Sequence, residues 1–190
     1  MTWPTDPADR HRVVAARFED VVGGVRDWEA PTPVASWRAR DVVEHLVTWL
    51  PGFLAGGSEH HLSAHGAGDT TDPPQVWRTH ATRVQALLDD PVAVSSAFTH
   101  PPLPPQTLTE AVAAYYVTDI FLHTWDLARA TAQDDALDAE VCAELLAGME
   151  PMADTLAASG QYGPRVPVPD DATTQEPLIG LIGRDPAWRP

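Results

Sequence analysis

The stretch from Thr107 to Gln133 constrains the fold of this chain more than any other part of the sequence. Thr107 and Glu110 have the spacing of a capping box, and neither Gly nor Pro interrupts the stretch. It therefore predicts one helix of about 26 residues, about 40 Å long at 1.5 Å per residue. At 100° per residue, Asp119 and His123 share one face with apolar residues, namely Val112, Tyr116, Ile120, Leu127 and Ala130. A carboxylate is rarely buried unless it is paired or bound to a metal, so this inward pair requires a partner.

The composition bounds the class of protein and its partners. A length of 190 residues fits a single domain over residues 1–190, with enough chain for a substantial core. The net charge is −15, and all 12 basic residues are arginines. Such an acidic balance argues against nucleic-acid backbones and anionic membranes as partners, and it otherwise indicates a solvated surface.

The absence of apolar segments and of cysteine pairs points to the cytoplasm. No stretch is long and apolar enough to cross a membrane, and residues 1–12, MTWPTDPADRHR, lack the apolar region of a signal peptide. The one cysteine, Cys142, excludes an internal disulfide and a cysteine-based zinc site. We therefore expect a cytoplasmic protein, monomeric or homodimeric.

Hydrophobic periodicity predicts an all-α chain with five main helices and one short helix. The main helices are expected at residues 7–27, 39–55, 73–88, 107–133 and 138–159, and the short one at 174–183. Residues 89–106 contain several prolines and no helical period, which indicates a long, semi-rigid crossover. The C-terminal tail is rich in proline, and Pro151 is expected to bend the helix that contains it. The apolar stripes fit a helical bundle better than a long coiled coil.

His45 is the third polar residue predicted to face the interior. It lies on the flank of the apolar stripe of the second helix, so it faces the helix that carries Asp119 and His123. Two histidines and one carboxylate form a common set of ligands for a divalent metal, and they leave positions open for water or substrate. The alternative is a buried ion pair of Asp119 with His123 or with Arg83.

Three further residues are candidates for supporting roles around such a site. His80 is either a base near the metal or a packed core histidine, and Arg83 either receives a substrate carboxylate or reaches solvent. Asp126 follows His123 by three residues, so it either orients that histidine or faces water. The loop that contains His60, His61 and His65 is either a metal-binding tract or a flexible connection.

Three motifs give the chain a resemblance to a known family. WRARDVVEHLVTW at 37–49, DIFLHTWDLARAT at 119–131 and LIGLIGRDPAW at 178–188 resemble the actinobacterial family related to the metal-binding domain of the mycothiol-dependent maleylpyruvate isomerase. That family belongs to the DinB-like superfamily, and the resemblance extends over about residues 9–188. It implies a DinB-like four-helix bundle (up-down-down-up) with His45, Asp119 and His123 as metal ligands. The isomerase has Glu where this chain has the shorter Asp119, and it has a further C-terminal domain for which we expect no room in this chain.

The predicted ligand set suits the chemistry of a small thiol. A divalent ion held by two neutral imidazoles and one carboxylate keeps a net positive charge, so it would deprotonate a bound thiol or lower the pKa of a bound water. The expected metal is zinc or nickel, and the thiol that the resemblance implies is mycothiol. The sequence thus favours a thiol-dependent metalloenzyme that transfers the thiol to an electrophilic substrate or isomerises that substrate. The alternatives are a metal- or thiol-binding module without turnover and a bundle with a vestigial site that associates with partners.

Three expectations about surroundings complete the sequence prediction. The fourth metal position is expected to be open, in a pocket between the second, third and fourth helices. Cys142 lies on a core stripe and is expected to be inert. Phe121 and Trp125 point away from Asp119 and His123, so this second face of the helix should also be covered, by another helix, by the tail or by a dimer partner.

Overall fold

The computed structural model describes residues 3–63 and 72–190, and this part of the chain is predominantly helical, as predicted. The helices and strands, in chain order, are α1 (Pro7–Gly24), α2 (Ala39–Gly57), α3 (Pro73–Asp89), α4 (Pro91–Val94), β1 (Ala97–Phe98), β2 (Gln106–Thr107), α5 (Leu108–Ala111), a π-helical segment (Val112–Val117), α6 (Thr118–Ala130), α7 (Ala139–Met149), a 3-10 turn (Glu150–Met152), α8 (Ala153–Ala158) and α9 (Gln175–Leu181). No described helix is long and apolar enough to span a membrane.

A capping aspartate side chain stands at the N-terminus of α1 and of α3, the helices before and after α2 in the chain. The Asp6 carboxylate accepts a hydrogen bond from the backbone N–H of Asp9 at 3.0 Å, and Pro7 occupies the first turn of α1. The Asp72 carboxylate accepts from the N–H of Gln75 at 3.2 Å in the same way and begins α3. The first helix ends at Gly24, three residues before the predicted end, because the backbone becomes extended at Val25.

The central helix, residues 108–130, is made of α5, the π-helical segment and α6. It begins with the predicted capping box, because the Thr107 hydroxyl accepts from the Glu110 N–H and the Glu110 carboxylate accepts from the Thr107 N–H. The prediction of one regular α-helix to residue 133 is wrong in two respects. Six residues, Val112–Val117, are π-helical, and the helix ends at Ala130. A π segment widens the turn, so the faces before and after it do not follow one 100° period.

The central helix is covered on both of the faces that the sequence singled out. Phe121 is 7% exposed and Trp125 is 1% exposed, which confirms that the second face is buried. The cover comes from the chain itself: the Trp3 ring meets Phe121 edge-on at 5.6 Å, and the Arg129 guanidinium lies 5.0 Å from the Trp125 ring centre.

The core lies between α1, α2, α3 and the central helix. Helix α1 packs against α3, α6 and the π-helical segment, and α2 packs against α3 and α6. The largest side chains that are fully buried are Trp77, Trp125, Tyr116, Phe18, Phe98, Leu46, Leu50, Leu54, Leu108, Ile120, Leu122 and Leu127. Pro51 stays inside α2, which continues through it to Gly57.

The crossover at residues 89–106 has more structure than the sequence predicted. It contains the one-turn helix α4 and an antiparallel pair, in which Ala97 faces Thr107 and Phe98 faces Gln106. The two-residue strands are too short to show an alternating pattern, so they could not be predicted from the sequence. The helix expected at 138–159 is divided by a 3-10 turn at Pro151, the residue predicted to bend it.

Candidate metal centre

The structure brings together the three residues predicted as metal ligands. His45 lies in the middle of α2, whereas Asp119 and His123 lie one turn apart in α6, directly after the π-helical segment. Residues four apart in an α-helix project from the same face, so the carboxylate and the second imidazole point together towards α2. One ligand atom from each residue lies within 4.8 Å of the other two, and no other described His, Cys, Asp or Glu extends this group.

The Asp119 carboxylate connects the two imidazoles. His45 Nε2 lies 3.0 Å from Asp119 Oδ2, and His123 Nε2 lies 3.5 Å from Asp119 Oδ1. The ion-pair partners of Asp119 are thus these two histidines, and Arg83 is not among them. Both imidazoles present Nε2 to the carboxylate.

The group lies at the rim of the core, open on the side of α2. The side chain of His123 is 5% exposed, that of Asp119 is 18% exposed and that of His45 is 32% exposed. Solvent or a small ligand therefore reaches the group past His45. Two grooves of about 580 and 700 Å³ in the described chain include none of the three residues in their walls. The predicted pocket is thus not one of these two grooves.

Two tryptophans, Trp37 and Trp49, contact the group directly. Trp49 Nε1 donates a hydrogen bond to Asp119 Oδ2 at 3.0 Å. The Trp37 ring lies 5.5 Å from the His123 ring, nearly parallel to it, and 5.0 Å from the His45 ring. Trp49 follows His45 by four residues on α2, so the sequence predicts that both side chains point the same way. The hydrogen bond from Trp49 to Asp119 could not be predicted in this way.

Asp126 orients His123, which was one of its two predicted roles. His123 Nδ1 donates to Asp126 Oδ2 at 2.9 Å, so His123 Nε2 is the ring nitrogen left for Asp119 or a metal. The Asp126 side chain is fully buried, and Arg184 lies beside it with Nη2 at 3.3 Å from Oδ2. Arg184 belongs to the LIGLIGRDPAW motif, but no pattern in the sequence indicated that it reaches the site.

Charges in the group move the pKa values of its members. Burial alone raises the pKa of Asp119, but the attraction of His123 and His45 and the bond from Trp49 together hold it below its usual value. Burial lowers the pKa of His123, but Asp119 and Asp126 more than offset this and raise it. The pKa of Asp126 is also lowered, because Arg184 and His123 outweigh its burial. Both carboxylates are therefore ionised at neutral pH, as metal ligation and its support require.

The other candidate residues lie outside the group. Arg83 is exposed on α3, which agrees with the second of its two predicted roles, a side chain that reaches solvent. His80 is fully buried, and its ring contacts include Tyr116 at 5.8 Å and Trp77 at 6.4 Å, which is the predicted core role. His60 and His61 do not join the group, and His65 lies outside the described residues.

Tyr162 is a further residue near the site that sequence reasoning missed. Burial and the negative charge of Asp119 raise the pKa of its phenol to about 12, although Arg184 opposes the shift. Its hydroxyl therefore stays protonated and neutral at physiological pH. Tyr162 and Arg184 both come from the chain after α8, so this segment contributes two groups to the surroundings of the site.

The donor set fits a divalent metal. Each histidine offers an Nε2 atom towards one carboxylate, and the second nitrogen of His123 is held by a buried aspartate, an arrangement typical of metal-ligating histidines. The Asp119 carboxylate supplies the negative charge that a metal site needs. The hydrogen bonds to Asp119 also hold the three side chains together when no ion is bound, so their arrangement does not depend on the ion.

Comparisons with known proteins add two distant relatives. No protein-family model matches the chain. Two proteins of Mycobacterium tuberculosis are 28% identical to it over 194 aligned residues, which cover 94% of this chain and 98% of each relative. They are the uncharacterized protein MT0763 of strain CDC 1551 / Oshkosh and the uncharacterized protein Rv0738 of strain ATCC 25618 / H37Rv. No solved structure matches. The names of the relatives assign no activity.

Proposed function

We propose that the protein binds one divalent metal ion through His45, Asp119 and His123, and that it is a thiol-dependent metalloenzyme. The observation that carries the proposal is the meeting of three ligand atoms within 4.8 Å on two facing helices. Zinc or nickel is the expected metal, because imidazole nitrogen and carboxylate oxygen suit both. In this proposal α1, α2, α3 and the central helix form the DinB-like up-down-down-up bundle that the sequence resemblance implies.

The ligand set determines which reaction the site would favour. A divalent ion with two neutral imidazoles and one carboxylate keeps a positive charge and, when bound, lowers the pKa of a thiol or water beside it. The residues of the chain hold that position: His45 and Asp119 line its accessible side, while Trp49 and Asp126 fix the directions of Asp119 and His123. The proposed reaction is transfer of a small thiol to an electrophile, or isomerisation of that electrophile. Mycothiol is the thiol that the resemblance implies.

The only thiol of the chain supports an external thiol as the reacting group. Cys142 is fully buried, and burial, together with the charge of Asp138, raises its pKa to about 12. A thiolate is the nucleophilic form, and a pKa in that range leaves almost none at neutral pH. The sequence expectation that Cys142 is inert is thus supported by its surroundings.

The experiment that tests this proposal combines elemental analysis with thiol titration of the purified protein. The wild type and Cys142→Ala should each contain about one metal ion per chain and bind a small thiol. His45→Ala should lose the metal and the thiol together, because it removes a ligand without disturbing the core. Thiol binding that survives removal of the metal would contradict the mechanism, and metal binding without conversion of any electrophile would favour a binding module.

A further inference from the structure

The chain after α9 turns sharply, and the turn has a defined geometry. Gly183 N–H donates to the Gly180 carbonyl at 3.1 Å, and Arg184 N–H donates to the Ile179 carbonyl at 3.0 Å. These two bonds and the φ of 80° at Gly183 form a Schellman motif, in which glycine is the preferred residue. A Cβ atom at position 183 would also lie 2.4 Å from the Cα of Gly163. Glycine at this position is therefore required twice, by its φ and by its neighbour.

The turn directs Arg184 into the protein. Its side chain is 10% exposed, and its Nη1 donates to the Ile182 carbonyl at 3.0 Å. Its Nε and Nη2 approach the two oxygens of Asp126 at 3.4 and 3.3 Å. This is the forked arrangement in which a guanidinium binds a carboxylate, and it fixes direction as well as charge.

Asp126 depends on these contacts because it has no access to water. Its side chain is fully buried, and a buried carboxylate is costly unless it is paired and hydrogen-bonded. Its Oδ2 accepts from His123 Nδ1 at 2.9 Å and also faces Arg184 Nη2. A continuous series of contacts thus runs from the C-terminal turn through Arg184 and Asp126 to His123.

We infer that Arg184 is a positioning residue for the metal site, and that metal binding and docking of the C-terminal turn stabilise each other. The inference rests on the proposed metal site. Arg184 fixes Asp126, Asp126 fixes the ring of His123, and the ring direction determines whether Nε2 faces the position between Asp119 and His45. Coupling between two events is reciprocal, so a metal held by His123 also strengthens the attachment of the turn.

The first test measures zinc affinity by competition with a coloured chelator. Residues that hydrogen-bond to a metal ligand contribute about 10–100-fold to metal affinity. Arg184 acts one contact further away, through Asp126, so Arg184→Gln should weaken zinc binding by about tenfold, the lower end of that range. Arg184→Lys keeps the positive charge but loses the forked geometry of the guanidinium. Its zinc affinity should therefore lie between those of the wild type and Arg184→Gln. Arg165→Gln is the matched control: Arg165 is on the same segment, but its bond to Glu150 is at the surface, with both side chains about half exposed. This control should bind zinc as the wild type does.

A second measurement needs no metal. The ring proton on His123 Nδ1 is buried against Asp126, so it should give a slowly exchanging NMR signal in the metal-free wild type and in Arg165→Gln. In Arg184→Gln the signal should weaken or disappear through faster exchange, while circular dichroism shows the same helix content. In the wild type, zinc should also slow hydrogen exchange at the amides of residues 183 and 184.

The outcomes separate this inference from the proposed function. If the wild type binds zinc and Arg184→Gln binds it equally tightly with an unchanged His123 signal, Arg184 has only a structural role and the inference is wrong. If the wild type binds no zinc or other divalent ion, the proposed metal site fails and the coupling fails with it. Weaker zinc binding in folded Arg184→Gln, but not in Arg165→Gln, would establish the coupling.

Discussion

Two groups of buried polar side chains lie against the central helix, and they differ in how their atoms are paired. In the metal centre, Asp119 accepts from Trp49 and faces both histidines, and Asp126 faces His123 and Arg184. The second group, the inner aromatic group, consists of His11, Trp77 and Tyr116. Within residues 3–63 and 72–190, His11 Nε2, Trp77 Nε1 and the Tyr116 hydroxyl have no hydrogen-bond partner.

The two groups differ because the metal centre contains carboxylates and the inner aromatic group does not. In the inner aromatic group, the centroids of the His11 and Tyr116 rings are 6.5 Å apart, and Trp77 meets Phe18, which lies outside the group, at 4.5 Å. None of its three members carries a negative charge, and the partner of His11 Nδ1, at 2.7 Å, is the neutral amide oxygen of Gln85. The metal centre has two buried or half-buried carboxylates, and each holds an imidazole at a defined nitrogen. A buried polar cluster thus has the geometry of a metal-binding site when charged acceptors fix the directions of its hydrogen-bond donors.

Removing the central carboxylate should have the largest effect. Asp119→Asn keeps the shape but removes the charge between the two imidazoles, so zinc binding should fall by more than the roughly 100-fold upper range of residues behind a ligand. His11→Gln, in the inner aromatic group, is the control and should leave zinc affinity unchanged. Isothermal titration with zinc distinguishes the two variants. Equal loss in both would show that the two groups do not differ as described.

The reactivity of Cys142 should show how strongly a buried group without a counter-charge is suppressed. With a pKa of about 12, native Cys142 has a small thiolate fraction at pH 8. A free cysteine has a pKa of about 8.5, so we expect the native thiol to react about 10³-fold more slowly with a chromogenic disulfide reagent. Reaction should become fast when denaturant exposes the residue. Fast reaction in the folded protein would mean that Cys142 is accessible.

Trp49 provides a milder test of the charged pairing. Trp49→Phe removes the N–H that donates to Asp119, and zinc affinity should fall by about tenfold, the lower end of the range for a residue behind a ligand. Trp77→Phe removes an N–H that has no partner in the described chain, so it should change the free energy of unfolding but not the affinity for zinc. Equal zinc affinities of the two variants would show that the Trp49 bond does not support the site.

The smallest effect is expected at Tyr116. Its hydroxyl is buried without a described hydrogen-bond partner, and such a group is costly to keep. Tyr116→Phe should therefore leave the free energy of unfolding unchanged or raise it by up to about 1 kcal/mol, as measured by urea denaturation. A loss of 2 kcal/mol or more would reveal a hydrogen bond from this hydroxyl that the described residues do not contain.

The sequence was informative where contacts follow from helical periodicity. Asp119 and His123 are one turn apart, and His45 lies beside an apolar stripe, so their convergence followed from two helices that face each other. Asp126 was identifiable for the same reason, because it is three residues from His123. Its role remained open, since spacing cannot tell whether a side chain is buried.

The sequence was uninformative where the contact spans much of the chain or where the helix is irregular. Arg184 reaches Asp126 across 58 residues, so no local pattern relates them, although the Gly183-Arg184 pair is readable as a helix end. The π-helical segment VAAYYV has no residue that marks it in advance. For Arg83 the sequence left two roles open, because spacing alone does not determine whether an arginine side chain reaches solvent; the residue is exposed.

Binding of one metal ion by His45, Asp119 and His123 can be tested directly by crystallography. The most direct measurement is anomalous X-ray diffraction at the zinc absorption edge, from crystals of the zinc-loaded protein. One strong peak per chain is expected, with His45 Nε2, His123 Nε2 and an Asp119 oxygen about 2.0–2.2 Å from it. Zinc bound at another position, with these three side chains still hydrogen-bonded to one another, would show that they do not form the metal site.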